Sequence, residues 1–263
     1  MSAGARRGNC IVASGADEST GHRDQYRRTF DVVAGAFLAL ITLPILTGAL
    51  LGSAIALRTW PLFSQTRIGR GGEPFRFVKV RTLPRSVPNY IDKHQLDSTG
   101  IPRFCRLLRA LHLDELPQLY LVLIGRMSLV GPRPEMERLH EQMPLAFATR
   151  RTSIRPGCTG LWQVSESCTD LIGASPEYDL HYLANRSLRL DLWLLYRTAL
   201  KMSRLAGCIS LAQVPTWTIP RSTITDVHAL DFPVDTAADT TTASASAGRN
   251  RTRLVGSDPG VGG

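Results

Sequence analysis

The segment Val32–Leu57, VVAGAFLALITLPILTGALLGSAIAL, decides the architecture of this chain. It has no charged side chain over 26 consecutive positions. As a continuous helix it would be about 39 Å long, which exceeds the ~30 Å hydrocarbon core of a bilayer. The sequence therefore predicts a membrane element near the N-terminus.

Pro44 lies near the middle of this segment and predicts a kink, because proline removes a backbone donor and clashes with the preceding turn. A kinked helix that crosses the bilayer and a re-entrant helical hairpin both satisfy the hydropathy. Cationic residues flank both ends, and the positive-inside tendency then puts both ends in the cytoplasm. These cations are Arg23, Arg27 and Arg28 before the segment, and Arg58, Arg67 and Arg70 after it.

The composition narrows the class of protein. A net charge of +9 over 263 residues suits a polyanionic partner, either nucleic acid or the anionic cytoplasmic leaflet. The five cysteines form an odd set without a C-x-x-C pair, which argues against a disulfide framework or a zinc site. Reduced thiols in a protein that faces the cytosol fit this pattern better.

Two adjacent carboxylates, Asp114 and Glu115, stand in the apolar run Leu113–Gln118, LDELPQ. Burial of charge in such a run costs several kcal/mol without compensation, so the pair either faces a polar cleft or binds a cation. Surface charges near the start of a helix are the alternative. Shortly afterwards Arg133 is held between two prolines in Gly131–Glu135, GPRPE. The two motifs together are a candidate site.

The stretch from Pro61 to Arg81 predicts a β-hairpin. Gly71 and Gly72 signal the turn, and the aromatic and β-branched residues after them suit a strand. The alternation of side chains puts Lys79 and Arg81 on one face and Arg76 on the other. The two cations on one face are either a solvated strand edge or a phosphate clamp.

Two segments, 101–111 and 188–205, have the pattern of basic amphipathic helices. Their apolar faces suit either the membrane surface or a globular core. A further loop, Arg155–Gly160, carries two glycines that let backbone N–H groups approach an anion, and Gln163 follows it. Taken alone, this loop is a weak signal because Pro-Gly turns are common.

In this order, the motifs resemble the bacterial sugar transferase family, the monotopic polyprenol-phosphate phosphoglycosyl transferases. The resemblance covers roughly Tyr26 to Met202. The motifs that carry it include RTFD at 28–31, FSQTRIG at 63–69, KVRT at 79–82, LDELPQ at 113–118, MSLVGPRP at 127–134 and RPGCTG at 155–160.

The resemblance implies an α+β, mainly helical fold: a re-entrant membrane helix hairpin, amphipathic interfacial helices and a small β-hairpin around a cytosolic catalytic domain. We therefore expect a disordered tail over 1–25, the membrane helix over 26–60, the catalytic domain over 61–206 and a mostly disordered tail over 207–263. It also implies a short form without the extra membrane helices of larger relatives, on the cytoplasmic face of the bacterial inner membrane.

The resemblance further implies an enzyme that transfers a phosphosugar from a UDP-sugar to polyprenyl (undecaprenyl) phosphate and releases UMP. Asp114 matches the family nucleophile, which forms an aspartyl phosphosugar, and Glu115 matches the residue that holds Mg²⁺ on the diphosphate. Arg133 would neutralise phosphate oxygens. The other phosphate- or substrate-binding residues it implies are Lys79, Arg81, Arg155 and Gln163.

Three positions depart from the family pattern: Arg126 replaces an acidic residue, Leu43 replaces a serine before Pro44, and the loop 83–88 differs. None touches the Asp-Glu pair, so these departures predict an altered substrate rather than lost activity. The rival hypothesis is a membrane-tethered basic adaptor that binds anionic lipid or nucleic acid without catalysis. No nucleic-acid-binding signature is visible in the sequence, so we expect no nucleic-acid partner. The sequence leaves homo-oligomerisation and the identity of the sugar open.

Overall fold

The computed structural model describes residues 18–87 and 100–219, with side chains from residue 24 onward. The predicted tails lie mostly outside the described residues, although 18–25 belong to the first helix and Ile209, Val214 and Thr218 of the second tail are buried. Pro88, at the end of the unusual loop, also lies outside the described residues. The described part is mainly helical, with two small sheets. Its elements are α1 (Glu18–Leu57), β1 (Leu62–Ile68), β2 (Pro74–Val80), α2 (Arg103–Ala110), α3 (Gln118–Leu123), β3 (Ser128–Val130), α4 (Glu137–Glu141), α5 (Leu145–Arg151), β4 (Gly157–Thr159), α6 (Leu161–Val164), α7 (Pro176–Ala184) and α8 (Leu188–Met202).

Helix α1 contains the predicted membrane element. It is one helix from Glu18 to Leu57 with Pro44 inside it, so the described residues do not show the chain reversal of the predicted hairpin. The hydroxyl of Thr42 donates to the carbonyl of Leu38 at 2.7 Å, and Thr47 does the same to Leu43 at 2.9 Å. The stretch Asp24–Leu57 is long and apolar enough to cross a membrane, and only 11% of its most apolar window is buried in the protein. A core helix of a soluble protein would be mostly buried.

The rest of the described chain holds α1 near both of its ends. Near the first end, Arg28 donates to the carbonyls of Val122 and Leu123 at 2.6 and 2.8 Å. Asp31 accepts from the hydroxyl of Ser128 at 2.7 Å and from the backbone N–H of Leu129 at 3.0 Å.

Near the second end, the hydroxyl of Ser53 donates to the carbonyl of Arg81. Ala49 packs with Val80 and Leu108 in a small apolar cluster of its own. Both ends of the membrane element are therefore attached to the part of the protein that carries the candidate site residues.

The predicted hairpin is confirmed. Strands β1 and β2 pair antiparallel, with Phe63 opposite Lys79 and Gln65 opposite Phe77. Gly71 and Gly72 both have positive φ (71° and 80°) in the connecting turn, where a side chain would be strained. Lys79 and Arg81 share a face, as the alternation predicts, and Arg76 is exposed on the other.

A second sheet consists of the parallel strands β3 and β4, which pair Ser128 with Gly157 and Val130 with Thr159. It lies within the main apolar core, which includes Leu129, Trp162 and Leu194. The GPRP motif begins directly after β3. The core therefore fixes the point at which Arg133 leaves the sheet.

The two predicted amphipathic helices are confirmed as α2 and α8. Each has some apolar side chains in the core and others on the surface. Leu108 of α2 and Leu194 of α8 are buried in apolar clusters. Away from these clusters, Leu107 of α2 is 53% exposed and Tyr196 of α8 is 60% exposed. Packing against the core and an exposed apolar surface therefore both occur in each helix.

Candidate active site

Asp114 and Glu115 lie on a short 3-10 turn, Leu113–Glu115, between α2 and α3. The turn begins after His112, which has a left-handed backbone (φ 54°), and is followed by Pro117 at the start of α3. The two carboxylates therefore project from a tight 3-10 turn that precedes α3, and not from an α-helix. Asp114 is 6% exposed, and both carboxylates line a cavity. The dyad therefore faces a cleft and is not a pair of surface charges.

Glu115 forms an ion pair with Arg133, whose Nη2 lies 3.0 Å from Oε1 of the carboxylate. Burial on its own would raise the pKa of Glu115, but the charge and hydrogen bond of Arg133 outweigh it and lower the pKa to about 2. Glu115 is consequently ionised at every physiological pH.

The pKa of Asp114 is shifted in the opposite direction. Burial raises its pKa above the usual value, and the negative charge of Glu115 raises it further, while Lys79 and Arg109 act against this. A carboxylate that is poorly solvated and close to cations is more reactive toward an electrophile than one stabilised by its own salt bridge. Of the two acids, Asp114 is therefore the better candidate for a nucleophile and Glu115 for a fixed charge.

The hairpin supplies two cations to this cavity. The Lys79 ammonium lies 5.3 Å and the Arg81 guanidinium 5.5 Å from the centre of the Phe63 ring. Cation–π contacts of this kind hold the two side chains on the cavity face of the sheet. Burial lowers the pKa of Lys79 to about 8, although the charges of Asp114 and Glu115 oppose the shift.

Arg133 stands on a backbone that is hydrogen-bonded at each of four successive carbonyls. The backbone N–H of Gly157 donates to Pro132 O at 2.9 Å, and the N–H of Ile68 donates to Glu135 O at 2.9 Å. Between these two, the side chain of Arg151 donates to Arg133 O at 2.8 Å and that of Arg67 donates to Pro134 O at 3.2 Å. Together with the two fixed proline φ angles, these bonds leave the segment little freedom.

The cavity has a volume of about 400 Å³ and is lined by two kinds of side chain. The charged lining residues include Arg67, Lys79, Arg81, Arg109, Asp114, Glu115 and Arg133. The apolar lining residues, which suit a neutral part of a ligand, include Leu83, Pro84, Val87, Leu139, Leu171 and Ile172.

The structure brings five of the seven predicted site residues together: Lys79, Arg81, Asp114, Glu115 and Arg133. It does not bring the other two to the lining of the cavity. Arg155 donates to the carbonyl of Gly125 at 3.0 Å and lines a separate small cleft beside Arg28 and Asp31. Gln163 lies at the carbonyl of Cys158, with its Nε2 at 3.4 Å. Their predicted roles in substrate binding remain predictions.

Sequence reasoning missed two cavity arginines. Arg109 is half-buried and donates to the hydroxyl of Thr82 at 3.4 Å, whereas the pattern of 101–111 predicts only a basic amphipathic helix. Arg67 forms an ion pair with Glu135 at 3.2 Å. The alternation with Phe63 and Gln65 on β1 was the available signal for Arg67, since all three line the cavity.

Asp114 and Glu115 are cavity residues that could bind Mg²⁺. Within residues 18–87 and 100–219, no group of three or more His, Cys, Asp or Glu side chains is arranged to hold a metal ion. Mg²⁺ in phosphate-transfer sites commonly takes one or two carboxylates, with waters and substrate phosphates as the other ligands. Two adjacent carboxylates in a cavity lined by cations fit that mode.

Comparisons with known proteins agree with this geometry. The family model "Bacterial sugar transferase" matches residues 22–204. The chain is 37% identical to a UDP-glucose:undecaprenyl-phosphate glucose-1-phosphate transferase of Caulobacter vibrioides, over 66% of this chain and 68% of that protein. It is 34% identical to the exopolysaccharide production protein ExoY of Sinorhizobium fredii, over 65% of this chain and 83% of that protein.

A longer relative is the UDP-N-acetylgalactosamine-undecaprenyl-phosphate N-acetylgalactosaminephosphotransferase of Aeromonas hydrophila. It is 31% identical over 65% of this chain, and the match spans only 42% of its length. The matched region, residues 22–204, includes the dyad, the hairpin and Arg133. The chain therefore belongs to the bacterial sugar transferase family and is a transferase enzyme.

Proposed function

We propose that this protein transfers a phosphosugar from a UDP-sugar to undecaprenyl phosphate at the cytoplasmic face of the bacterial inner membrane, and thereby starts the assembly of an exopolysaccharide or glycoconjugate. The observation that carries the proposal is the buried Asp114, which stands beside the Glu115–Arg133 pair in a cavity lined by cations. The names of the relatives support the two substrates.

In the first step, a carboxylate oxygen of Asp114 attacks the sugar-linked phosphorus of the donor. A new bond forms between that oxygen and phosphorus, and the bond to the bridging oxygen breaks, so that UMP leaves with its electron pair. The product is an aspartyl phosphosugar. The raised pKa of Asp114 suits this role, since a poorly stabilised carboxylate is the better nucleophile.

In the second step, an oxygen of the lipid phosphate attacks the same phosphorus. The bond to Asp114 breaks, the carboxylate is regenerated, and the lipid carries a diphosphate-linked sugar. Both steps build up charge on phosphate oxygens, which Lys79, Arg81 and Arg133 are placed to stabilise from fixed positions.

Glu115 would hold Mg²⁺ together with the donor's diphosphate, and the ion would supply further charge neutralisation at those phosphates. Arg133 keeps Glu115 ionised and oriented, which is the state a metal ligand needs. Removal of divalent cations should therefore weaken donor use without unfolding the protein.

We further propose that α1 enters and leaves the bilayer on the same side. Gly35 is buried where an added Cβ would lie 3.3 Å from Val122, and Ala49 packs with Val80, so the helix is attached to the catalytic part on either side of an exposed middle. The intervening residues 36–48 span about 20 Å as a helix, which is too short for the ~30 Å core. This supports a re-entrant element over a helix that crosses.

The test compares the wild-type protein with Asp114→Asn in membranes supplied with UDP-sugars and undecaprenyl phosphate. We expect UMP release to fall by roughly 10³-fold or more in the variant, because the nucleophile is removed. Glu141→Gln, which removes an exposed carboxylate on α4, is the matched control and should keep full activity.

A second measurement addresses the intermediate. Wild-type protein given the donor without the acceptor should carry one phosphosugar on the peptide that contains Asp114, as detected by mass spectrometry. Turnover by wild-type protein with no adduct, together with an active Asp114→Asn variant, would exclude the covalent mechanism. Absence of turnover with any UDP-sugar would favour the adaptor hypothesis.

A further inference from the structure

Two free cysteines meet beside the cavity. The sulfur of Cys168 lies 3.8 Å from that of Cys208, which is separated from it by 40 positions in the chain. Cys168 lines the cavity, and Cys208 is exposed. The mechanism proposed above uses neither thiol.

Backbone hydrogen bonds between the segments that precede Cys168 and follow Cys208 bring the two cysteines together, so that their proximity follows from the fold. Ile209, next to Cys208, accepts from the N–H of Glu166 at 3.0 Å and donates to the carbonyl of Val164 at 3.1 Å. Ser165 pairs with Ile209 in a parallel bridge. The segment at 208–209 is therefore attached to the chain just before Cys168.

A lysine stands at the same place. The Nζ of Lys201 lies 3.1 Å from the sulfur of Cys168 and 2.7 Å from the carbonyl oxygen of Gln163. The ammonium group is thus held in position next to one sulfur of the pair. Reactive cysteines are typically found beside such a cation.

Cys168 is also the first residue of a continuous part of the cavity wall, Cys168–Ile172, which we call the lip. Its middle residues are exposed, and Ile172 is anchored in the main core. The lip is therefore fixed at one end by apolar packing, while its other end carries the thiol. A covalent bond at Cys168 would fix both ends.

We propose that Cys168 and Cys208 form a reversible disulfide that fixes the lip and slows exchange of the donor. The sulfurs must approach from 3.8 Å to about 2.05 Å, a movement within the reach of an exposed side chain. The effect on donor exchange rests on the proposed function, whereas the formation of the disulfide does not.

The oxidant is a small-molecule disulfide such as oxidised glutathione. The exposed Cys208 thiolate attacks one sulfur of that molecule, forms a mixed disulfide and releases one glutathione thiolate. The Cys168 thiolate then attacks the sulfur of Cys208 and releases the second. Two protein thiols are oxidised, one disulfide is reduced to two thiols, and the two protein protons pass to the released thiolates.

The experiment treats the full-length protein in detergent with oxidised glutathione and compares it with Cys168→Ser and Cys208→Ser. All three proteins carry Cys10→Ser, since Cys10 lies outside the described residues. Thiols that remain are alkylated under denaturing conditions and counted by mass spectrometry. We expect the wild-type pair to lose two thiols and to give one linked peptide that contains both cysteines, while the buried Cys105 and the half-buried Cys158 stay alkylatable.

The functional readout is UMP release before and after oxidation. We expect a reduction on the order of threefold in the protein with both cysteines, reversed by dithiothreitol, and no change in Cys208→Ser, because a restrained cavity segment slows ligand exchange. Hydrogen exchange at 169–171 should slow in the oxidised form, whether or not the donor is a UDP-sugar.

The outcomes separate the two proposals. If Cys168 and Cys208 both stay alkylatable, or each keeps its own glutathione, the disulfide proposal is wrong whatever the activity. If the linked peptide forms but activity and hydrogen exchange are unchanged, the proposal that the disulfide restrains the lip is wrong. If the linked peptide forms and exchange slows in a protein without UMP release, the proposed function fails and the thiol site stands.

Discussion

The guanidinium of Arg151 donates a 2.8 Å hydrogen bond to the backbone carbonyl of Arg133, although neither its side chain nor α5 lines the cavity. The same guanidinium pairs with Asp179 at 3.1 Å, and both side chains are almost completely buried. Arg133 in turn pairs with Glu115. A buried ion pair between α5 and α7 thus supports the backbone from which the cavity's central arginine extends.

Arg151→Lys tests this support. Lysine keeps a positive charge opposite Asp179, and so avoids the ~3–5 kcal/mol cost of a buried carboxylate left without a partner. A single ammonium on a flexible stem does not reproduce the fixed fork that reaches both Asp179 and Arg133 O. We expect kcat to fall by roughly tenfold or more while KM for the donor changes little, because small displacements of a charge-stabilising group reduce catalysis.

Arg150→Lys is the matched control, since Arg150 is the exposed neighbour of Arg151 on the same helix. It should have wild-type kinetics. Thermal unfolding of both variants shows whether the loss of activity is separate from a loss of fold. An Arg151→Lys protein with unchanged kcat would show that Arg133 is positioned without this bond.

The lowered pKa of Lys79 predicts that activity declines at alkaline pH. Its pKa is lowered to about 8 by burial, so the free enzyme loses this positive charge as the pH rises through 8. Because the neutral amine attracts phosphate less, kcat/KM for the donor should decline above pH 8. Lys79→Arg, which stays charged, should move this decline to higher pH.

The control for the pH profile is Arg76→Gln, which removes a cation from the exposed face of the same strand. It should leave the alkaline limit where the wild-type protein has it. A wild-type profile that is flat to pH 10, or one that Lys79→Arg does not change, would exclude Lys79 as the group responsible.

Replacement of Gly157 by alanine should destabilise the protein for a steric reason. A methyl group there would overlap the backbone of Gly131 and come within 2.5 Å of the carbonyl oxygen of Thr159. Backbone cannot move aside as a side chain can, so Gly157→Ala should separate β3 from β4. We expect a loss of ~3 kcal/mol in the free energy of unfolding, measured by denaturant titration in detergent.

Gly207→Ala is the comparison for that experiment, because a methyl group at this position meets no atom within 4 Å. Its free energy of unfolding should lie within about 0.5 kcal/mol of the wild-type value. Equal stability of the two variants would mean that the β3–β4 pair tolerates a wider spacing.

The sequence predicted those features that depend on local patterns. The hairpin, the shared face of Lys79 and Arg81, and helices α2 and α8 follow from alternation and helical spacing, and the structure confirms them. The 3-10 turn of the dyad depends on the left-handed backbone of His112; histidine is enriched in that conformation, but the preference is too weak to predict a turn at one position.

Contacts between distant segments could not be predicted in this way. The support of Arg133 by Arg151, and the inclusion of Arg109 in the cavity, depend on how helices pack and not on their own periodicity. Likewise, Arg155 begins a promising Pro-Gly loop, yet its side chain donates to the carbonyl of Gly125 and not into the cavity. A motif predicts which side chains are available, and the tertiary fold decides which of them meet.

The topology of α1 has a direct test in cysteine labelling, in a background without the native cysteines. Gln25→Cys and Glu73→Cys introduce thiols at exposed positions on either side of the membrane element, and Ile41→Cys introduces one in its exposed apolar middle. In intact spheroplasts, a membrane-impermeant maleimide should label neither flank. After the membrane is permeabilised, both flanks should react, while position 41 stays protected by lipid.

The physical reason is the short free length of the helix. Only about 20 Å separate the residues that bind the catalytic part on either side, and Arg28 and Ser53 both donate to carbonyls of that part. A helix that crosses would have to break one of these sets of contacts to reach the far side. Labelling of one flank but not the other in intact spheroplasts would therefore establish a crossing helix and require a different arrangement of α1 from the one described.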